Sequence, residues 1–266
     1  MYIISYMIVF CIFIIYYLKK NKKLIINDIN EIEELYKNKI KVITYNIQRL
    51  PIMIFRENIN MEKIIKEYDL IFFQEDFTQI FKSRILYGLN CIIPGNSDLF
   101  NCKITDSGLS IYSKYKIKFK NFVEFENLEF TDNLANKGFI IFELNDIIMI
   151  NTHLQAGEKN KISLKQLQII FKEVKNYEKV LIVGDFNINI KDILNIPNGY
   201  KKICTSIPTH WMKNSVLGFG SSIYNKNYKP HFFDGGFYKN INISNIDTHY
   251  YDKFTDHLAV SFDINL

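Results

Sequence analysis

Arginine is scarce in this chain of 266 residues, with three copies at Arg49, Arg56 and Arg84. The formal net charge of +5 would suggest a basic surface for nucleic acid or acidic lipid. However, four of those five charges come from one lysine cluster, at Lys19, Lys20, Lys22 and Lys23. The remainder of the chain is therefore close to neutral, which argues against a domain-wide basic face without excluding nucleic-acid binding.

Cysteine is also scarce, with four residues that form no CxxC pair, at Cys11, Cys91, Cys102 and Cys204. This spacing indicates neither a zinc knuckle nor a disulfide scaffold. Cys91 and Cys102 could flank a hairpin and pair, but buried free thiols are the favoured interpretation, because unpaired cysteine is among the most buried residue types. The redox compartment stays open.

Proline and glycine are few, at 5 and 11 residues, and no Pro/Gly-rich linker or internal repeat divides the chain. Hydrophobic residues make up 48% of the chain and aromatic residues 15%, which excludes a disordered protein. We therefore expect one large domain over residues 41–266. The preceding residues 24–40 predict a helix or tether.

Charged residues are absent from Tyr2 to Leu18, and the lysine cluster follows directly. An uncharged run that ends in a basic stop is typical of a short membrane-spanning helix. A cleaved signal peptide is not favoured, because it needs a positive charge before the run and small residues after it. The sequence therefore predicts a single-pass membrane anchor over residues 1–23. The positive-inside rule would place the remainder on the cytoplasmic side.

From residue 41 onward, short apolar runs are separated by short polar segments, which is typical of strands joined by turns. The candidate strands are residues 41–47, 69–75, 108–114, 137–144, 147–154, 179–188, 231–238 and 257–264. Residues 58–68 and 161–177 carry apolar side chains at every third or fourth position and predict helices. Many strands and few helices, without strict alternation, predict an α+β fold of two sheets packed face to face with helices outside.

The stretch VLIVGDFNINI, residues 180–190, is an apolar run that ends in polar residues. Such a run fits a strand buried on both faces, whose polar end would emerge at a rim. Most predicted strands have polar residues at or next to one end, and these residues are Asn46, Glu75, His153, Asp185 with Asn187, and Asp256 with His257. Each alone has an ordinary interpretation as a turn former, surface charge, core histidine or cap. Their recurrence predicts convergence on one site.

GDFN, NTHL, QE and a terminal DH occur together in this chain, and the combination resembles the endonuclease/exonuclease/phosphatase superfamily. The resemblance covers about residues 41–266. It implies a catalytic domain with the deoxyribonuclease I-like fold, a four-layer α/β/β/α sandwich of two mixed, mainly antiparallel sheets. It also implies a metal-dependent phosphodiesterase, since phosphodiester hydrolysis requires neutralised phosphate charge and an activated water.

The metal ligands are implied by the same motifs. Glu75 would be the principal ligand, helped by Asn46 and Asp256. Carboxylate and amide oxygens suit Mg²⁺, with Mn²⁺ as an alternative.

The other roles also follow from the resemblance. His257 would be the general base, because imidazole has a pKa near neutrality. Asp234 would orient that ring, although Gly235 and Gly236 follow it where the family usually has an aliphatic residue. The remaining assignments are Asp185 and Asn187, which would position water and phosphate, and His153, which would donate to a phosphate oxygen. The three other histidines, His210, His231 and His249, are predicted to be surface or turn residues.

The segments between these motifs resemble neutral sphingomyelinases and inositol phosphosphingolipid phospholipases. TYNIQRLP and DSGLSIYSKYKI match two of their segments, and DNLANKGFIIFEL leads into NTHLQAG. The family's Asp and Lys five positions apart, linked there to activity and lipid-dependent switching, are matched by Asp132 and Lys137. ANKG also fits an ordinary turn before a strand. PTHWMKNSVLGFG resembles a Thr-Trp segment with an Asn-Ser pair, although its aromatic residues could equally be core.

The leading hypothesis is a membrane-anchored, Mg²⁺-dependent sphingomyelinase-like phosphodiesterase that releases phosphocholine from sphingomyelin and leaves ceramide. Its partner would be a phospholipid or sphingolipid at a membrane surface, with nucleic acid less favoured and no obligate protein partner inferred. A nuclease or an inositol-phosphate phosphatase of the same superfamily is the alternative. A catalytically inactive membrane adaptor is the second alternative.

Overall fold

The structure is a computed structural model, which describes residues 25–27, 38–49, 61–77, 89–93, 105–126, 128, 132, 135–157, 161–210, 229–251 and 255–266. Its helices and strands, in chain order, are β1 (Ile25–Asn27), β2 (Lys39–Arg49), α1 (Met61–Glu67), β3 (Leu70–Asp76), β4 (Asn90–Ile93), β5 (Ser110–Ser113), β6 (Lys118–Glu124), β7 (Gly138–Leu144), β8 (Ile147–His153), α2 (Lys161–Glu173), β9 (Val180–Asp185), β10 (Tyr200–Ile203), β11 (Asp234–Lys239), β12 (Asn242–His249) and β13 (Ala259–Asn265).

The described strands form two sheets. The first has the order β1-β4-β5-β3-β2-β13-β12, and the second has the order β10-β11-β9-β8-β7-β6. Two neighbouring pairs run parallel, β2 with β3 and β8 with β9, and the other described pairs are antiparallel. Each parallel pair lies near the middle of its sheet. The two mixed, mainly antiparallel sheets that the sequence predicts are thus confirmed.

Three hydrophobic clusters separate the layers. The cluster between the two sheets includes Val42, Phe72, Phe142, Leu181 and Val260. Because side chains alternate between the faces of a strand, each sheet also has a second apolar face. A cluster on the outer face of the first sheet includes Ile64 of α1, and one on the outer face of the second includes Leu167 and Ile170 of α2. The layer order is therefore helix, sheet, sheet, helix.

All eight predicted strands are present, and the structure adds five that the sequence pattern missed, namely β1, β4, β6, β10 and β12. Four of the five are edge strands and the fifth, β4, lies next to an edge, and β6 and β12 are largely half-buried or exposed. Such strands lack a clear apolar run, so periodicity does not detect them.

Residues 25–27, within the segment 24–40 that is predicted to be a helix or tether, form a strand instead, and residues 28–37 lie outside the described residues. Ile25 lies opposite Ile93 in the β1–β4 ladder, so residues 25–27 are an edge strand of the first sheet. β2 begins at Lys39, two residues before the predicted start of the domain. Pairing with a distant strand decides this conformation, and local sequence does not show it.

Several sequence predictions fall outside the described residues, including the anchor over residues 1–23, residues 211–228 with the Asn-Ser pair, and Cys102. Cys91 is a buried thiol on β4. Within the described part of the chain, no helix is long and apolar enough to cross a membrane.

Phe142 provides a test of the core between the sheets. Its side chain is fully buried, and its ring centroid lies 5.7 Å from that of Phe72 in the opposite sheet. We expect Phe142→Ala to lower the free energy of unfolding by about 3–5 kcal/mol, because it removes buried apolar surface and leaves a cavity. Leu194→Ala, at a side chain that is 86% exposed, should change it by less than about 0.5 kcal/mol. Equal effects of the two substitutions in denaturant titrations of the full chain would contradict this packing.

Candidate active site

The two parallel strand pairs end at the same edge of the sandwich. In the first sheet, the regular part of the β2–β3 ladder ends at Asn46, beside Glu75. In the second sheet, His153 lies opposite Asp185 at the ends of β8 and β9, and Asp185 also lies opposite Asp234 of β11. The polar strand ends that the sequence singles out are therefore brought together.

The side-chain amide of Asn46 connects the two sheets across this edge. Its Nδ2 donates to Glu75 Oε1 at 3.0 Å and to Asp185 Oδ2 at 2.9 Å, while its Oδ1 accepts from the backbone N–H of Gln48 at 3.0 Å. Burial raises the pKa of Glu75 and of Asp185, because desolvation disfavours a charged carboxylate. In this arrangement the side-chain nitrogen of Asn46, rather than its oxygen, faces the two carboxylates. Asn46 would ligate a metal there only with its amide group turned, so that Oδ1 occupied the present position of Nδ2.

The backbone at the site departs from regular strand geometry. Glu75 has a φ of +51°, and the β2–β3 ladder shifts register between Asn46 and Arg49. A shift of this kind re-aims the side chains beside it. In the GDFN motif, a Cβ on Gly184 would lie 1.9 Å from the carbonyl oxygen of Thr152. Glycine is therefore required there for β8 and β9 to approach each other just before Asp185.

His257 is surrounded by three carboxylates. Its Nδ1 lies 2.8 Å from Asp234 Oδ2, and its Nε2 lies 3.7 Å from both Asp185 Oδ2 and Asp256 Oδ1. Burial by itself would lower the pKa of His257, but the negative charges, with Asp234 contributing most, raise it well above its ordinary value. The structure thus forms the Asp234–His257 pair even though Asp234 is the looser sequence match.

His210 also belongs to this edge, which corrects its prediction as a surface or turn residue. The ring is buried at 6% exposure, and its Nε2 lies 3.3 Å from Asp256 Oδ2. Burial would raise the pKa of Asp256, but the hydrogen bond from His210 and the charge of His257 lower it to about 2. The sequence signal was weak because His210 follows no apolar run and reaches the site through backbone bridges to His231 and His257. His231 and His249 are half-buried rather than exposed.

His153 lies between opposite charges. Its Nε2 is 3.5 Å from Asp185 Oδ2, 3.9 Å from Glu75 Oε1 and 3.3 Å from Lys137 Nζ. Burial, together with the charges of Lys137 and His257, lowers the pKa of His153 well below its ordinary value. The ring is therefore neutral at pH 7. A lysine N–H can donate to Nε2 only if the ring carries its proton on Nδ1.

Lys137 and Asp132, the two residues matched to the family's Asp and Lys, form an ion pair in the structure. The Lys137 ammonium lies 3.0 Å from Asp132 Oδ2 and donates to the carbonyl oxygen of Leu154 at 3.0 Å. Asp132 in turn accepts from the backbone N–H of Ala156 at 2.8 Å. Lys137 is only 3% exposed, so its charge is directed into the site rather than into solvent.

Asn187 occupies the turn after β9 and contacts both neighbouring site strands. Its backbone N–H donates to Asp185 Oδ1 at 2.9 Å, and its Nδ2 donates to the carbonyl oxygen of Leu154 at 3.0 Å. It adopts a φ of +49°, a conformation that asparagine tolerates better than most residues. This turn holds Asn187 beside Asp185 and His153.

Beneath the site, Gln74 and Asn151 form a buried polar bridge between the sheets, which the sequence analysis missed. Gln74 Nε2 donates to Asn151 Oδ1 at 2.7 Å, and Asn151 Nδ2 donates to the carbonyl oxygens of Phe73 and Ser110. Both residues lie within predicted strands, just before Glu75 and His153. A polar residue inside an apolar run is the signal that could have identified them.

The donor set fits a divalent cation with oxygen ligands. Glu75, which is half-buried, and Asp185, which is buried, are carboxylates of raised pKa that share one neutral amide, and a bound cation would compensate their charge. Within the described residues, Asp256 Oδ1 is buried and has no hydrogen-bond partner. Hard cations such as Mg²⁺ prefer carboxylate and amide oxygens. Glu75 and Asp256, with the amide oxygen of Asn46, are the residues able to hold one.

Comparison with known proteins places this geometry in context. Sphingomyelinase C from Bacillus cereus is 27% identical, over 65% of this chain and 66% of that protein. Phospholipase C from Staphylococcus aureus is 25% identical, over 56% of this chain and 57% of that protein. The chain has the deoxyribonuclease I-like fold and is homologous to bacterial sphingomyelinases C. The resemblance to the endonuclease/exonuclease/phosphatase superfamily is thus confirmed, although no family model matches the chain.

Solved structures agree on the fold. Beta toxin from Staphylococcus aureus with bound magnesium ions has a TM-score of 0.59 and 19% identity, covering 84% of this chain and 99% of that one. D. rerio TDP2 complexed with a single-strand DNA product has a TM-score of 0.62 and 15% identity, covering 86% of this chain and 100% of that one. This chain spans less than two thirds of the curated relatives that it matches in sequence.

Asn151 provides a test of the polar bridge beneath the site. Asn151→Ala would leave the carbonyl oxygens of Phe73 and Ser110 buried without their donor. We expect a loss of at least about 1–3 kcal/mol in the free energy of unfolding, the cost of stranding buried polar groups. Asn198→Ala, at an exposed turn, is the matched control and should stay within about 0.5 kcal/mol. Denaturant titration of both variants measures the difference, and an unaffected Asn151→Ala would refute the bridge.

Proposed function

We propose that this chain is a Mg²⁺-dependent phosphodiesterase of the sphingomyelinase type, which hydrolyses sphingomyelin to ceramide and phosphocholine at a membrane surface. One observation carries the proposal: His257 Nδ1 is held 2.8 Å from Asp234 while its Nε2 faces the edge occupied by Asp185. An oriented base beside a cation site made of oxygen donors is what phosphodiester hydrolysis requires.

Glu75 is the residue assigned to hold the cation, with Asp256 and the amide oxygen of Asn46 as the other ligands. A Mg²⁺ ion held by these residues would supply positive charge that offsets the charge of the phosphate oxygens and would make water easier to deprotonate. The magnesium ions in the beta toxin structure support this choice of metal. Mn²⁺ accepts the same donors.

His257 takes a proton from the attacking water at its Nε2. Asp234 accepts a hydrogen bond from Nδ1–H and so fixes the tautomer in which Nε2 is the acceptor. The carboxylates that raise the pKa of His257 also stabilise the imidazolium that forms when the proton arrives. Asp185, 3.7 Å from Nε2, helps to place the water.

The phosphate is bound by Asn187 and His153, whose side chains are neutral. The Lys137 ammonium lies 3.3 Å from His153 Nε2. Because Lys137 is buried, its charge is weakly screened and favours an anionic group at the site. Asp132 holds the ammonium in place through their 3.0 Å ion pair.

A sphingolipid is the preferred substrate class for three reasons. Two relatives that match the chain in sequence are described as sphingomyelinase C and phospholipase C. The Asp132–Lys137 pair, which the sequence resemblance assigns to that family, is formed in the structure. The near-neutral charge outside the lysine cluster offers little basis for groove-wide nucleic-acid binding. The DNA product bound to the TDP2 neighbour makes a nuclease the principal alternative.

Activity on defined substrates tests the proposal. The full chain with Mg²⁺ should release phosphocholine from sphingomyelin in detergent micelles and leave single-stranded DNA and inositol phosphates intact. His257→Ala should lower the turnover number by about 10²–10⁴, the usual contribution of a general base. Removing Mg²⁺ with a chelator should abolish the activity. His249→Ala, at a histidine that bonds to Ser261 on β13, is the matched control and should retain most of it.

Other results of this assay would favour one of the alternative functions. Cleaved single-stranded DNA without phosphocholine release would favour a nuclease, and release of inorganic phosphate from inositol phosphates would favour a phosphatase. Inactivity on all three substrates, in a chain that is folded by circular dichroism, would favour the inactive membrane adaptor.

The register of the edge strand β1 supports an N-terminal membrane anchor that turns the active site toward the bilayer. β1 begins at the same edge of the sheet as the catalytic residues. Ile25 lies opposite Ile93 of β4, and the pairing of β4 with β5 and of β5 with β3 puts these two residues level with Phe73, near the end of β3 that carries Glu75. Six residues, from Lys19 to Leu24, separate the apolar run from β1. Fully extended, they span at most about 20 Å. A membrane helix over residues 2–18 would therefore hold the catalytic edge near the bilayer.

Moving the anchor tests this orientation. The carboxyl end lies at the opposite edge, because Leu266 N–H bonds to the carbonyl oxygen of Asn38. Transferring residues 1–24 to follow Leu266 should therefore turn the site away from the bilayer. We expect hydrolysis of vesicle sphingomyelin to fall by about 10²-fold, the lower range of tethering effects. Hydrolysis in detergent micelles should be unchanged, which controls for folding. Equal vesicle rates for both arrangements would reject the orientation.

A further inference from the structure

The segment that follows β8 holds several side chains of the phosphate-binding side of the proposed site. The carbonyl oxygen of Leu154 accepts from Lys137 Nζ and from Asn187 Nδ2, each at 3.0 Å. Two residues later, the backbone N–H of Ala156 donates to Asp132 Oδ2 at 2.8 Å. The positions of these three side chains therefore depend on where the main chain of this segment lies.

The residue in the middle of the segment, Gln155, is bonded through its main chain to α2. Its N–H donates to Gln166 Oε1 at 2.8 Å, and its carbonyl oxygen accepts from Ser163 Oγ at 2.9 Å. Ser163 and Gln166 are three positions apart, so both side chains lie on the same face of the helix. All three residues are at most 2% exposed, so water competes little for either bond.

The helix is a firm support for the segment. Leu167 and Ile170 of α2 pack in the hydrophobic cluster on the outer face of the second sheet, and Leu154 belongs to the same cluster. Within the described part of the chain, Gln166 Nε2 is buried without a hydrogen-bond partner. A buried donor without a partner costs stability. The stability of the helix alone therefore does not account for an amide here, whereas the bond from its oxygen to the segment does.

We infer that Gln166 and Ser163 are positioning residues for the phosphate-binding side of the site, acting through the main chain of Gln155. Fixing Gln155 fixes its two neighbours, and those neighbours hold the side chains described above. Glu75 and Asp256, the carboxylates assigned to the cation, belong to other parts of the chain, so cation binding should not depend on α2. The positioning of the segment stands without the proposed function, whereas its effect on phosphate binding rests on it.

The first experiment measures amide hydrogen exchange at Ala156 in the full chain. Gln166→Met has a side chain of similar length without the acceptor, whereas Gln166→Glu keeps an oxygen there in either protonation state. Gln168→Met, at an exposed position of the same helix, is the matched control. We expect Gln166→Met to accelerate exchange at Ala156 about 3–10-fold, the weight of one hydrogen bond. Gln166→Glu and Gln168→Met should exchange like the unchanged chain.

The second experiment measures hydrolysis of sphingomyelin in detergent micelles. Gln166→Met should lower kcat/KM by about 10-fold or more, up to the roughly 10²-fold that a 1 Å misplacement can cost. The Mg²⁺ concentration for half-maximal activity should be unchanged, which a general loosening of the site would not allow. Gln166→Glu should recover most of kcat/KM. Ser163→Ala, which removes only one hydroxyl, should repeat the effects of Gln166→Met to a smaller extent.

The outcomes separate this role from the proposed function. Unchanged exchange at Ala156 in both Gln166→Met and Ser163→Ala would overturn the positioning. Faster exchange with an unchanged kcat/KM, an equal loss of kcat/KM in Gln166→Glu, or a raised Mg²⁺ requirement would overturn the link to phosphate binding. Faster exchange in a chain that hydrolyses none of the tested substrates would support the positioning and reject the proposed function instead.

Discussion

One neutral amide, that of Asn46, holds carboxylates from both sheets at a common point. Two carboxylates alone would repel each other and lose hydration, and each of the two Asn46 bonds, to Glu75 and to Asp185, offsets part of that cost. His153 and His257 both approach Asp185 Oδ2, at 3.5 and 3.7 Å, so their positions depend on where the amide holds it. The edge is therefore one connected unit rather than a set of independent side chains.

The buried bridge between Gln74 and Asn151 acts on the same constraint from below. Gln74 immediately precedes Glu75 on β3, and Asn151 lies two residues before His153 on β8. The hydrogen bond between them therefore fixes how far β3 and β8 are shifted along each other. A slip of either strand by one residue would send its site side chain to the opposite face. Polar groups in an otherwise apolar interior specify register more sharply than apolar contacts do, since apolar surfaces can slide.

Two histidines at this edge have opposite protonation tendencies because their neighbours differ. Burial lowers the pKa of both rings, but Lys137 adds to that effect at His153, whereas three aspartates reverse it at His257. The same residue type is thus suited to a neutral, hydrogen-bonding role in one place and to accepting a proton in the other. Environment, rather than residue type, separates the two roles.

The sequence was sufficient for the parts of the fold that have strong local patterns. The apolar runs of β2, β3, β8 and β9 identified the central strands, and the polar residues at their ends identified most of the edge. Edge strands such as β12 were missed because half-exposed strands carry no clear period. His210 was missed because it reaches Asp256 through long-range backbone bridges rather than at the end of an apolar run. Pairing between distant segments decides such positions.

Backbone strain at this edge is held in place by the site residues themselves. Gln48, Glu75 and Asn187 all have positive φ, at 46°, 51° and 49°, which is uncommon for residues other than glycine. The Gln48 N–H bonds to the side chain of Asn46, and the Asn187 N–H bonds to the side chain of Asp185.

Glu75 is held through its carboxylate by Asn46 Nδ2. Strained conformations persist only where surrounding contacts over-determine them. Asn46 and Asp185 thus shape the backbone that presents Glu75 and Asn187, so the chemistry of the edge and its local fold depend on the same few side chains.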